Sequence, residues 1–416
     1  MKKTYLFFAT GLFISISFLA QTKLLTIQDA VLKGRSSLAP KRIQTLFVPE
    51  TDWAAYIDNN ALKSVQQSSG NAKDIITLSE LNKNLKAASQ DTLSYLNGIS
   101  FKTADEIYIT NKKGDWIYSL SKKTLAPSDI KKVDNTIDDL DEFKKGETYA
   151  YVAANNLFVV KNGKTEQVSK DGSYNLVYGK SVHRDEFGIS KGTFWSPKGN
   201  LLAFYRMDQS DVTDYPIIDW STYPAKNTNI KYPMAGNNSH YVTVGIYNVE
   251  KKSTVYLRTE GPKDQYLTNI AWSPDEKNIY VVVLNREQNH FKVNEYDAAT
   301  GNFTRMLFEE RDEKYAEPLH AMLFVKNNAT QFIWQSRRDG FNHLYLYNIK
   351  GEMMKQLTKG NWEVKDVAGF DNKGENFFFH ANEQSPVNQD FYSVNLKSGK
   401  MTRITSDNGF HVATLS

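Results

Sequence analysis

The segment from Ser181 to Gly192 (SVHRDEFGISKG) concentrates the side chains best suited to chemistry. Within it, Gly188-Ile189-Ser190-Lys191-Gly192 matches the G-x-S-x-G nucleophile elbow letter for letter. An elbow sets its serine on a strained turn between an apolar strand and a helix. Here polar Ser181 to Asp185 come before the motif and a Phe-Trp-Ser-Pro strand-turn follows it. That context argues against a nucleophile, and no catalytic residue is assigned to the chain.

Asp185 and Glu186 suit another task. A carboxylate facing a cleft can pair with the ammonium group of a peptide through a charge-assisted hydrogen bond. Taken alone, such a pair is more often a solvated turn. Arg184 and Arg206 suit either contacts to substrate carbonyls or ordinary ion pairs. His183, His240 and His343 lack a ligand spacing such as H-E-x-x-H, so no metal is implied. Asp339-Gly340 reads as a turn.

The elements that must hold these residues are strands. Leu344–Ile349 and Met353–Thr358 are apolar-rich runs flanking Lys350-Gly351-Glu352, the sequence form of a β-hairpin. The unit recurs from Val244, Val293 and Phe391. Tyr247, Tyr296, Tyr347 and Val394 then lie 49, 51 and 47 residues apart. Periods of this size signal a repeat fold, and four strands per repeat make a propeller blade. A second marker recurs ahead of the hairpins. Trp195-Ser196-Pro197-Lys198-Gly199 leads into Leu201–Tyr205, and Trp272-Ser273-Pro274-Asp275 into Ile279–Val283. A degenerate copy, Phe370 to Gly374, leads into Phe377–Phe379. Each reads as an aromatic closing one strand, a tight turn, and a buried next strand. Weaker copies surround Tyr56, Trp116 and Asn156.

Two stretches break the rhythm. Residues 70–95, with Leu78, Leu81 and Leu85, fit a loop or a short helix. Residues 180–240 exceed one blade, lack hairpin spacing and end in a Pro/Tyr-rich run from Tyr215 to Pro233. Long insertions on a repeat scaffold tend to carry function.

Composition bounds the function classes. The 416 residues are 40% hydrophobic and 24% charged, with 23 Tyr, 23 Phe and 7 Trp. That aromatic richness favours pleated, half-buried surfaces. The net charge of +4 is spread without a basic cluster, which speaks against a nucleic-acid partner. Lys2 and Lys3, an apolar run from Tyr5 to Ala20 and polar Gln21 form a signal peptide over residues 1–20. The run is shorter than the ~20 residues that span a bilayer, so no stable membrane span is expected. Export places the mature chain in the periplasm, at the outer envelope or outside the cell. Cysteine is absent, which removes disulfides, thiolate chemistry and a lipoprotein anchor.

With these residues in view, the segment from Val182 to Val212 (VHRDEFGISKGTFWSPKGNLLAFYRMDQSDV) resembles the substrate-anchoring region of the dipeptidyl peptidase IV family. Tyr232–Gly236, His240–Tyr247, Tyr266-Leu267-Thr268-Asn269 before Trp272–Asp275, and Phe332–Tyr347 (FIWQSRRDGFNHLYLY) extend the resemblance. It is nearest to the bacterial prolyl tripeptidyl type, strong from about residue 150 onward and faint before. It implies an all-β, eight-bladed β-propeller spanning residues 24–416, with the last blade and an α/β-hydrolase domain lying beyond Ser416. It implies further a secreted, proline-specific serine exopeptidase whose triad sits in that hydrolase domain, with no cofactor. The propeller gates the site and holds the free amino end of a proline-containing peptide. Homodimerisation is left open. The alternative is a stand-alone, non-catalytic binding propeller. Dipeptidyl types carry a Glu-Glu pair before the phenylalanine. Aligned on Phe187, Arg184 and Asp185 face that pair; shifted by one, Asp185 and Glu186 do. Prolyl tripeptidyl types show Arg-Glu-Phe-Gly, which matches Glu186 and favours tripeptide release.

Overall fold

A computed structural model describes residues 26–34, 37, 45–49, 51–66, 69–96, 98–128, 137–144 and 147–415. The signal segment, residues 1–20, lies outside them. The chain divides into two compact units, Met1–Ser128 and Asp129–Ser416. Among the described residues no helix is long and apolar enough to cross a membrane.

The first unit holds two four-stranded antiparallel blades. One comprises Thr45–Phe47, Trp53–Asp58, Ala61–Gln66 and Ala72–Thr77; the other Ser100–Phe101, Glu106–Asn111, Gly114–Ser119 and Leu125–Pro127. Between them the ambiguous leucine stretch forms a helix, Leu78–Ala87. Thr77 caps it by accepting the Glu80 N–H at 3.2 Å, and the Leu81 and Leu85 face is buried.

The second unit holds five more blades, so the described residues form seven blades of an all-β propeller fold. The third blade runs Asp138–Lys144, Thr148–Ala153, Asn156–Lys161 and Lys164–Gln167. The fifth runs Tyr266–Trp272, Asn278–Leu284, His290–Asp297 and Phe303–Arg311. The sixth spans Leu323–Gln356 and the seventh Val364–Arg403. Tyr247, Tyr296, Tyr347 and Val394, the residues that revealed the period, all lie on third strands, opposite Leu202, Ile279, Phe332 and Phe377.

The Trp-Ser-Pro marker has a physical cause. Trp195 donates its indole N–H to Asp141 O of the preceding blade at 3.1 Å, and Trp272 does the same to Phe194 O at 3.0 Å. The serine hydroxyl then caps its own turn: Leu201 N–H reaches Ser196 Oγ and Asn278 N–H reaches Ser273 Oγ, each at 3.0 Å. Between these turns lies Glu276, whose carboxylate accepts from Ser196 Oγ, Lys198 N–H and Asn200 Nδ2 at 2.6–2.8 Å. Apolar side chains fill the blade interfaces, as Val244 and Ile246 do against Leu267, Ile279 and Val281. Each fully buried side chain of this size stabilises by about 1.5–3 kcal/mol.

The fourth blade departs from the pattern twice. Its first strand is split into Leu176–Tyr178 and Thr193–Trp195, both paired with Leu201–Asp208. Tyr205 closes the split: its C=O accepts from Gly179 N–H at 2.9 Å and its N–H donates to Gly192 O at 3.0 Å. Residues 180–191 therefore leave and rejoin one strand through a narrow neck. A Cβ at Gly192 would stand 2.2 Å from the Lys180 carbonyl, so the neck requires glycine. The second departure corrects the sequence reading. The run that lacks hairpin spacing folds into a two-stranded hairpin, Asp214–Asp219 with Lys226–Lys231. Its strands are exposed on nearly every residue, so burial leaves no alternating pattern to detect.

Candidate functional site

The excursion 180–191 presents the acidic residues. His183, Arg184 and Asp185 take successive positive φ values of 54°, 59° and 63°, and Phe187 follows at 56°. For residues other than glycine this left-handed region costs roughly 1–2 kcal/mol each, so surrounding structure must hold it. It does so through the side chains that face inward. Val182, His183, Phe187 and Ile189 are buried, while Arg184, Asp185, Glu186 and Ser190 face solvent.

His183 is the inner clamp. Its Nε2 accepts the Leu267 N–H at 3.3 Å, so Nδ1 carries the ring proton and donates to His240 Nε2 at 3.0 Å. The His183 backbone N–H donates to the same Nε2 at 3.0 Å. The Tyr266 ring stands edge-on to His183 at 4.9 Å and packs Phe187 at 4.8 Å. Thr268 Oγ1 donates to Phe187 O at 2.9 Å. Burial drives the His183 pKa well below its usual value, and the His240 and Arg286 charges push the same way. Burial, with Arg286 and Arg184, lowers His240 to about 4. Both rings are neutral at neutral pH.

A third support comes from the loop between the fifth and sixth blades. Gly188, at φ +75°, lies so close to it that a Cβ would sit 1.8 Å from Leu319 O. Asn269 Nδ2 donates to Pro318 O at 2.6 Å, fixing that loop in turn.

The outer face is different. Neither the Asp185 nor the Glu186 carboxylate takes part in an ion pair or hydrogen bond among the described residues. The acidic strand of the third blade lies near this face. Burial raises the Asp139 carboxyl, Lys180 draws it down, and the negative fields of Asp138 and Asp185 add to the rise. Lys180 pairs with Asp138 at 3.0 Å and Lys191 with Asp141 at 3.1 Å, anchoring both ends of the excursion to that strand. Sequence reasoning missed Asp138, Asp139 and Asp141, although the run DDLDE over 138–142 was the available signal.

Among the described residues the arginines form none of the ordinary ion pairs that were one of their two readings. The Arg184 guanidinium lies 5.0 Å over the Tyr232 ring, at the base of the hairpin. Arg206 donates Nε–H to Tyr178 O at the phenol, 3.2 Å away. Stacked this way, a guanidinium keeps free N–H donors. Ser190 sits in the loop ahead of Thr193–Trp195, with no strand before it and no helix after it. The structure offers it none of the context of a nucleophile elbow.

Comparison with known proteins now decides the family. A family model described as the dipeptidyl peptidase IV N-terminal region matches residues 102–416. The chain belongs to that family. A solved Bacteroides ovatus structure assigned as a dipeptidyl aminopeptidase IV is 36% identical, with a TM-score of 0.74 over 86% of this chain and 53% of its own. Porphyromonas gingivalis dipeptidyl peptidase 4 shares the fold, at 22% identity and a TM-score of 0.66. Among curated relatives, a dipeptidyl-aminopeptidase B of Coccidioides posadasii is 28% identical over 72% of this chain. A Tuber melanosporum counterpart is 28% identical over 70%. The chain spans about a third of these curated relatives, 36% of each, and about half of the solved structures. It is therefore a propeller region of the dipeptidyl peptidase IV type. Family membership gives the excursion of the fourth blade a setting, since the match runs through it.

Proposed function

We propose that this propeller gates and anchors peptide substrates for an exported, proline-specific serine exopeptidase. In this reading an α/β-hydrolase domain of the same protein supplies the catalytic triad. Glu186 pairs with the substrate's free amino terminus, Asp185 assists, and Arg184 is placed to meet a peptide carbonyl. The observation that carries the proposal is the Asp185-Glu186 pair, unpartnered among the described residues, on a strained turn clamped from beneath by His183, Phe187 and Gly188. A surface acidic turn with no task has no need of such support.

The chemistry follows from what an exopeptidase must do, which is to count residues from one end. An anion at the closed end of a cleft rewards an ammonium and leaves a mid-chain amide with a desolvated, unpaired charge opposite it. Breaking such a pair costs about 2–5 kcal/mol, or roughly 30- to several-thousand-fold. The test is Glu186→Gln in the full-length enzyme. We expect kcat/KM on free-amine proline substrates to fall by a factor in that range, with little change on N-acylated ones. Loss with Asp185→Asn instead shifts the anchor by one residue, and no loss with either removes the anchoring role. Product masses distinguish tripeptide release, which the Glu186 register favours, from dipeptide release. Export is checked by mass spectrometry of the native N-terminus, expected near Gln21.

A further inference from the structure

Inter-blade clefts of one kind recur along the second unit, each formed where the third and fourth strands of one blade face the hairpin of the next. Between the third and fourth blades the cleft carries Lys161, Lys164 and Lys252, but also Glu166. Lys252 pairs with Glu166, and Lys161 with Glu250 at 3.1 Å. Between the fourth and fifth, Lys251 and Lys277 are balanced by Glu276 and Asp297.

The cleft between the sixth and seventh blades is not balanced. It encloses about 590 Å³ and gathers Lys326, Lys355, Lys373 and Lys397 against a single carboxylate, Glu375. None of the four lysines forms an ion pair among the described residues. Lys326 Nζ donates to Asn372 Oδ1 at 2.9 Å and Lys355 Nζ to Lys397 O, both neutral acceptors. Apolar lining comes from buried Val325, Leu346 and Leu396 and half-exposed Met354, beside the amides of Asn327, Asn328, Gln331 and Asn395. Four ammonium groups from four separate segments repel one another, and that repulsion is relieved when an anion enters.

We propose that this cleft binds a phosphate group carried on an apolar body. A phosphate brings up to two negative charges and several acceptor oxygens to one point, which suits a cleft lined by four lysines better than a single carboxylate does. The apolar lining residues accept the body. The volume lies within the 300–1,000 Å³ typical of small-molecule sites. The site is separate from the acidic turn and stands whether or not that turn binds peptides.

The experiment titrates the purified protein at low salt with monomeric dihexanoyl phosphatidic acid, inorganic pyrophosphate and dihexanoyl phosphatidylcholine. Phosphatidic acid is expected to bind, to weaken as salt rises, and to lose about fivefold in affinity for each lysine removed in Lys326→Gln and Lys373→Gln. Cosedimentation with phosphatidylglycerol vesicles then identifies a lipid surface as the source. Pyrophosphate binding as tight as the lipid's, without cosedimentation, identifies a soluble phosphate. The double variant must keep the parent melting temperature, as expected for exposed lysines. Absence of binding, equal binding of the zwitterionic lipid, or affinity unchanged within twofold in the double variant overturns the proposal.

Discussion

His240 Nε2 lies 3.0 Å from both the backbone nitrogen and the Nδ1 of His183, accepting from each. One unprotonated ring nitrogen thus fixes the first residue of the left-handed turn. Protonating His240 would set an N–H against two donors in a buried site.

This geometry makes stability fall with acidification. The folded pKa values lie below the unfolded ones, so between them the unfolded state binds more protons and stability rises with pH. The contribution is complete above about pH 6.5 and is lost as pH drops toward about 4, where His240 titrates in the folded state. For His240 the loss is of the order of 3 kcal/mol. Chemical denaturation of the protein at pH 7, 5.5 and 4.5 measures it. His240→Gln should flatten that dependence while lowering stability at pH 7.

Gly188→Ala is expected to displace the acidic turn. The new Cβ would overlap Leu319 O, a backbone atom that cannot step aside cheaply, and would burden a φ of +75°. Destabilisation above about 2 kcal/mol is expected from these two effects together. A melting temperature within 1 °C of the parent would show that the 312–322 loop yields freely.

Glu276→Ala should cost about 2–3 kcal/mol, because three donors on the neighbouring turn lose a charged acceptor. Burial opposes ionisation of Glu276, yet the bonds from Ser196, Asn200 and Lys198 outweigh it and hold the carboxyl below its usual pKa. Its stabilisation is accordingly present above the unfolded carboxylate range and is lost as pH falls through the folded value. Comparing the variant with the parent at pH 7 and pH 3.5 tests both the size and the sign.

Ser190→Ala should leave peptide turnover by the full-length enzyme within twofold. The serine is exposed on a loop and no base addresses it among the described residues. A drop of a hundredfold or more would restore it as a nucleophile.

Much of the fold was legible before any coordinates. The spacing of Tyr247, Tyr296, Tyr347 and Val394 reports third strands because a blade is a local object, built from consecutive hairpins whose side chains alternate. The Trp-Ser-Pro marker was legible as a turn, but not as the donor that ties Trp195 and Trp272 to the preceding blade. The hairpin of 214–231 was missed because exposed strands carry no burial period. The leucines at 78, 81 and 85 could not separate loop from helix until the Thr77 cap was seen.

The chemistry divides in the same way. The sequence by itself determined the residue types at 184–186, the absence of cysteine and the wrong surroundings for Ser190. Only the tertiary structure decided that Asp185 and Glu186 stand unpaired among the described residues, that Arg184 lies over Tyr232, and that His183, His240, Tyr266, Thr268 and Leu319 clamp the turn from beneath. Apart from His183, which adjoins the turn, those partners lie about 50 to 130 residues away along the chain. Hydrogen bonds between such distant segments leave no periodicity in a sequence, since they depend on how whole blades pack rather than on local backbone preference.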